Sequence, residues 1–241
     1  MERLNKFIAN SGYTSRRKAD DLILKGKVSV NGDVVRELGT KVSSLDEVLV
    51  EGVSISKVQK YEYYLLNKPR GYICSLSDEK NRNVVVDLID TDCNIYPVGR
   101  LDYNTTGALI LTNDGDLANI LMHPSNEVLK TYLAICEGIF TTEEIYKVEE
   151  GVTIDGVKVV PRRFKIKSKD PVKNRTKVEI TIVEGKNHIV KNIFQSVGHP
   201  VNKLTRERIA FLDVKGLQSG EYRELTINEV KRLKQLKKGS K

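Results

Sequence analysis

The chain opens with apolar residues at helical spacing, Leu4, Phe7 and Ile8, and after Gly12 a second such pattern follows with Ala19, Leu22 and Ile23 on one face. Ser15 or Thr14 stands where a side-chain oxygen can accept an orphan N–H at the start of the second helix, and Gly26 where a glycine can end it. Val28-Ser29-Val30-Asn31-Gly32-Asp33-Val34-Val35 then switches to strand patterning around Asn-Gly, a pair that accepts the positive φ a tight hairpin demands. Val48-Leu49-Val50 adds a strand. Ser56 to Lys60 is polar and reads as a linker, so the predicted domains are 1–59 and 60–241.

Beyond the linker the patterning is mostly that of strands. Tyr61, Tyr63, Tyr64, Leu65 and Leu66 form a β-prone run that stops at Asn67-Lys68-Pro69-Arg70-Gly71, because proline cannot donate to a ladder and glycine permits the turn. Ala108-Leu109-Ile110-Leu111-Thr112 is a short apolar run that, as a strand, must be buried. Asp116 opens a helix with Leu117, Ile120 and Leu121 on one face, closed by His123-Pro124, and Lys130 to Ile135 returns to strand. Thr141 with Glu144 and Thr226 with Glu229 have the spacing of capping boxes, the first leading into Ile145 and Val148 and the second into a Lys-rich final helix. Val152-Thr153-Ile154-Asp155-Gly156-Val157-Lys158-Val159 is a second hairpin signal, and Val178, Ile180 and Ile182 alternate as in a strand. Short strands joined by tight turns, with few helices, predict an α+β fold on an antiparallel sheet, not a doubly wound parallel one. There is no long internal repeat and no low-complexity block.

Charge adds a direction. The net charge is +8, and its distribution is uneven: residues 1–60 carry +3, residues 61–184 carry −3 and residues 185–241 carry +8. An excess of that size at the two ends is compatible with a polyanionic partner. Cys74, Cys93 and Cys136 are odd in number and widely spaced, which offers neither a disulfide framework nor a Cys-x-x-Cys site and suits a reducing compartment. His123, His188 and His199 have no zinc-binding spacing, and Ile110 to Gly115 lacks the acids of a calcium loop, so no metal is expected. The N-terminus lacks a signal-peptide core and no apolar run approaches the ~20 residues of a spanning helix, so a cytoplasmic protein without membrane contact is expected, as a monomer.

The candidate reagent is Asp102. It sits between Leu101 and a polar, glycine-bounded loop leading into the buried run, where a carboxylate either caps a turn or is launched from the edge of a core as a reactive group. Arg16, Arg17, Lys18 and Lys27 cluster beside the second helix and are either a solvated face or contacts for phosphate. Lys68 and Arg70 touch phosphate or decorate a turn, Tyr132 is a strand aromatic of the kind that fills cores, and Lys191 alone reads as a helix cation.

Gly99-Arg100-Leu101-Asp102, followed by Thr105-Thr106-Gly107 and Leu111-Thr112-Asn113-Asp114-Gly115, resembles the signature of the RsuA/RluB-type ribosomal RNA pseudouridine synthases. The similarity runs along essentially the full length. Asn67-Lys68-Pro69-Arg70-Gly71 resembles the family's first motif, and Glu184 to Phe194 with Val197-Gly198-His199-Pro200-Val201 its third. Arg206, Arg208, Lys215, Gly216-Leu217 and Gly220 carry the likeness on, while Ser15 to Ala19 and Gly26 to Gly32 resemble an S4-type RNA-binding domain. The resemblance implies an S4-like domain followed by a synthase domain with a mainly antiparallel mixed sheet flanked by helices. It implies Asp102 as the catalytic residue, Tyr132 stacked on the target uracil and Lys191 as the basic partner of Asp102. It implies no cofactor, and a ribosomal RNA partner, 23S by the closer likeness to the large-subunit branch or a pre-ribosomal particle containing it. Arg16, Arg17, Lys18, Lys27, Lys68, Arg70, Arg100 and His188 are then the expected RNA contacts, with Arg100 on a nucleotide phosphate or in an ion pair within its loop.

The third motif departs from the family pattern, with His188, Lys191 and Asn192 where arginines are usual. Lysine keeps the charge but loses the bidentate fork, so the Asp102–Lys191 pair should be less rigidly oriented than an Asp–Arg pair. Two other readings stay open: a non-catalytic S4-domain assembly or RNA-binding factor with a decayed third motif, and a carboxylate glycosidase using Asp102 with Asp114 or Asp116.

Overall fold

The computed structural model describes residues 1–56, 60–183 and 188–237. The core of the expected linker, residues 57–59, and residues 184–187 at the head of the third motif lie outside the described residues. The chain divides into two compact units, Met1–Glu62 with two short loops at Asp92–Asn94 and Asn113–Gly115, and the remainder.

In the first unit the helices are Leu4–Asn10 and Arg16–Leu24, and they bury Leu4, Phe7, Ile8, Ala19 and Ile23. Ser15 is the cap of the second helix, accepting from the Lys18 N–H at 3.4 Å. A four-stranded antiparallel sheet runs in the order Asp33–Val35, Val28–Val30, Val48–Val50, Val53–Ile55. Asn31 and Gly32 take the positive φ that their turn predicts, 52° and 91°. The last hairpin was not foreseen, because its turn uses Glu51 at φ 51° where Asn or Asp is the usual signal.

The second unit is built on a nine-stranded sheet. Its main path runs Arg163–Asp170, Arg175–Ile182, Lys130–Glu137, Val201–Ile209, Thr106–Thr112, Tyr63–Lys68, Tyr222–Glu224. Every pairing is antiparallel except that of Thr106–Thr112 with Val201–Ile209. Leu65, Ala108 and Ile110 pack with Leu117, Ala118 and Leu121 of the helix Gly115–Met122 and with Leu233 of the helix Ile227–Lys234. Both expected capping boxes form, at Thr141/Glu144 and Thr226/Glu229.

Two features of the sheet decide the site. The first strand runs on through Asn67 and Lys68 and ends before Pro69, two residues later than the sequence pattern suggests. The parallel pair meets at Gly107 and Arg206, where a Cβ on residue 107 would lie 2.1 Å from the Arg206 carbonyl oxygen. Only a residue without a side chain, here at φ 106°, lets those two strands come together.

Candidate active site

Asp102 lies in the loop between Gly99 and Thr105, just ahead of the buried strand, and that loop is clamped by the segment around the first motif. Lys68 is fully buried, and its ammonium donates to three backbone carbonyls: Pro69 at 3.0 Å, Asp102 at 3.2 Å and Thr105 at 3.0 Å. Burial holds its pKa below the ordinary lysine value. The Gly71 N–H donates to the Tyr103 carbonyl at 2.9 Å, and Arg70 Nε to Asn104 Oδ1 at 3.0 Å. Cys74 Sγ accepts from the Leu101 N–H at 3.3 Å, and burial pushes its thiol pKa up. A turn closed by the Thr105 N–H on the Asp102 carbonyl at 3.0 Å completes the loop. The expectation that Lys68 contacts RNA is therefore corrected: an ammonium with no exposed surface is a strut of the aspartate loop. Arg70 also bonds that loop while its side chain stays exposed.

The Asp102 side chain is 28% exposed and is met by the helix Ile189–Ser196. Lys191 Nζ donates to Oδ2 at 2.5 Å, so the basic partner that the resemblance implies is in place despite the missing guanidinium. His188, at the start of that helix with φ 53°, puts Nδ1 3.3 Å from the same oxygen. The structure thus sets His188 against the carboxylate, where the sequence reading had made it an RNA contact. Thr105 Oγ1 is 3.5 Å from Oδ2 as well. All these contacts fall on Oδ2; among the described residues Oδ1 has no hydrogen-bond partner and is the oxygen left for a ligand.

A cavity of about 1120 Å³ opens beside this carboxylate, lined among others by Arg100, Asp102, Tyr132, His188, Leu204 and Arg206. That volume suits a nucleotide with its neighbours. Tyr132, only 8% exposed, lies opposite Arg206 across the strand pair and opposite Ile180 on its other side. Arg100 is exposed at the rim and is in no ion pair among the described residues. In the first unit Arg16, Arg17 and Lys18 are exposed, while Lys27 pairs with Glu51 at 2.6 Å.

Two cavity residues carried no role in the sequence reading. Lys130 donates to the carbonyls of Val128 and Val183, and burial, aided by the Arg206 charge, brings it down to about 8. Arg206 is 3% exposed and gives its Nε–H to the Ala108 carbonyl at 2.7 Å. The signal was present in its phase, since Arg206 follows buried Leu204 by two positions and must share its face. No cluster of three or more His, Cys, Asp or Glu side chains that could hold a metal exists among the described residues, and no helix there is long and apolar enough to cross a membrane.

Comparison with known proteins bears on this geometry. A family model described as RNA pseudouridylate synthase matches residues 62–196, and one described as S4 domain matches residues 2–48. The chain is 48% identical over 237 residues to Ribosomal large subunit pseudouridine synthase B of Bacillus subtilis (strain 168), spanning 98% of this chain and 97% of that one. It is 42% identical to an uncharacterized RNA pseudouridine synthase of Aquifex aeolicus (strain VF5), with 96% and 93% of the two chains covered. A solved structure described as a crystal structure of pseudouridylate synthase aligns with a TM-score of 0.69 at 29% identity, covering 97% of this chain and 100% of that one. Full-length identity, both family models and the shared fold agree: this chain belongs to the RNA pseudouridine synthase family and carries an S4 domain at its N-terminus.

Proposed function

We propose that the protein isomerises uridine to pseudouridine in ribosomal RNA, with a uridine of the 23S molecule as target and Asp102 as the essential carboxylate. The observation that carries the reading is the disposition of that carboxylate at the cavity: Lys191 and His188 engage Oδ2, while Oδ1 has no hydrogen-bond partner among the described residues. The relative from Bacillus subtilis, named for the large ribosomal subunit, supports the choice of RNA.

The reaction breaks the bond from N1 of uracil to C1′, turns the base, and joins C5 to C1′. Positive charge builds at the sugar as the bond opens, and an ionised carboxylate is the fitting partner for it. Lys191 holds the Asp102 carboxylate in place, and Lys68 fixes the loop that carries it. Tyr132 offers the flat face on which an everted uracil stacks. Arg100, at the rim, takes a phosphate of the everted nucleotide. Arg16, Arg17 and Lys18 grip phosphates elsewhere on the RNA without reading bases, so that residues 1–59 act as the binding domain and residues 60–241 as the catalytic one. The protein is expected to work as a monomer, in the cytosol. The binding-only alternative drew on the missing arginines of the third motif, and the short Lys191–Asp102 contact removes much of that support.

The test is to incubate the purified protein with 16S and 23S ribosomal RNA transcripts and map pseudouridine by carbodiimide treatment and primer extension. A stop at a defined 23S uridine is expected. Stable RNA binding without any stop would favour the binding-only factor, and a stop confined to 16S would overturn the choice of target.

A further inference from the structure

The buried guanidinium of Arg206 is incompletely satisfied. Its Nε–H is spent on the Ala108 carbonyl, but Nη2 is buried with no hydrogen-bond partner. Arg206 is in no ion pair among the described residues, and its charge disfavours the protonated form of each of its neighbours Lys130, Lys68 and Cys74. A buried donor without an acceptor costs free energy, and such groups are rare in native proteins and mark strain, a functional role or a bound water or ion. Position points to a functional role. Arg206 lines the cavity with Asp102 and Tyr132, and it stands directly opposite Tyr132 in the strand pair, so both side chains leave the sheet on the same face.

We infer that Arg206 is a further catalytic residue, whose Nη2 donates to a carbonyl oxygen of the uracil as that base leaves the sugar; this rests on the proposed uridine isomerisation. When the N1–C1′ bond breaks, its electron pair goes to the uracil, which becomes an anion with charge on its carbonyl oxygens. Recombination reverses this: C5 gives a pair to C1′, loses its proton, and N1 takes one up, so atoms and charge balance without a co-reactant. Arg206 keeps its proton throughout. An N–H already fixed in a dry site favours the anion over the neutral, bound base, because its dipole and charge need no rearrangement when the negative charge appears. Asp102 then meets the charge that develops on the sugar, and Arg206 the charge that develops on the base.

The experiment uses the full chain and 23S ribosomal RNA transcripts made with uridine or with 5-fluorouridine, whose base leaves more easily but whose C5 has no proton to lose, so the rate read on both is the loss of the original N1–C1′ nucleoside, by nuclease digestion and mass spectrometry. Single-turnover rates and RNA affinities are measured for the unaltered protein, Arg206→Met and Arg206→Lys, with circular dichroism at the assay temperature to show that each is folded. Arg206→Met should react about a hundredfold more slowly on uridine, with RNA affinity within about threefold. On 5-fluorouridine its deficit should shrink to about tenfold or less, since a better leaving base needs less help. Arg206→Lys should recover at least part of the uridine rate, and it carries the test if Arg206→Met does not fold. An equal deficit on both substrates, or a loss confined to RNA affinity, would overturn the assignment. If the unaltered protein forms no pseudouridine on any ribosomal RNA, it is the proposed function that fails and not the role of Arg206 within it.

Discussion

The two units of this chain use positive charge in opposite ways. In the first, Arg16, Arg17 and Lys18 project from a helix into solvent, and Lys27 forms an exposed pair with Glu51. In the second, Lys68 and Arg206 are buried, Lys130 is partly buried with its ammonium on two carbonyls, and Lys191 is drawn onto a carboxylate. Solvated cations cost little to keep and gain energy only when a polyanion arrives. Buried ones are expensive unless each N–H finds an acceptor, so their presence marks places where geometry has to be held. On the proposed function, the difference separates residues that set how tightly RNA is held from residues that set what happens to it.

The largest effect is expected from removing the Lys68 strut. Lys68→Met leaves the carbonyls of Pro69, Asp102 and Thr105 without their shared donor, and it should lower stability in urea unfolding by about 3 kcal/mol while loosening the aspartate loop. Next comes Lys191. Lys191→Met should slow single-turnover pseudouridine formation about a hundredfold, and Lys191→Arg should stay within about tenfold if charge is the requirement. A triple change of Arg16, Arg17 and Lys18 to alanine should weaken RNA binding about tenfold and make its salt dependence shallower by about two counterions, with turnover at saturating RNA unchanged. A turnover defect in that variant would break the division between the units. The gentlest effect is one of pH. Lys130 titrates at about 8 in the fold against 10.5 for the ordinary group. Between those values the unfolded chain binds more protons, so this residue makes stability rise with pH, and Lys130→Met should remove that rise from the denaturation profile.

Much of the fold is legible because its signals are local. Asn31-Gly32 sets a hairpin through its own φ angles, and Thr141 with Glu144 caps a helix across three residues. The candidate carboxylate was visible too, since an acid before a buried run is unusual, and its basic partner came from the resemblance. What stayed hidden depends on register between distant segments. Lys68 looks like a turn residue beside Pro69, yet it continues the phase of buried Tyr64 and Leu66, and two of its three acceptors come from more than thirty residues away. His188 looks like part of an RNA-contacting motif, but its left-handed backbone turns it toward Asp102. The parallel join at Gly107 and Arg206 could not be inferred from alternation, which gives the faces of a strand but not its neighbours.

The most direct measurement is the single-turnover conversion of uridine to pseudouridine in a 23S ribosomal RNA transcript by Asp102→Asn, beside its affinity for the same RNA. Loss of all detectable conversion with affinity within a few-fold is expected, because the amide keeps the shape of the side chain and removes only its charge. Conversion at a rate near that of the unaltered protein would contradict the account.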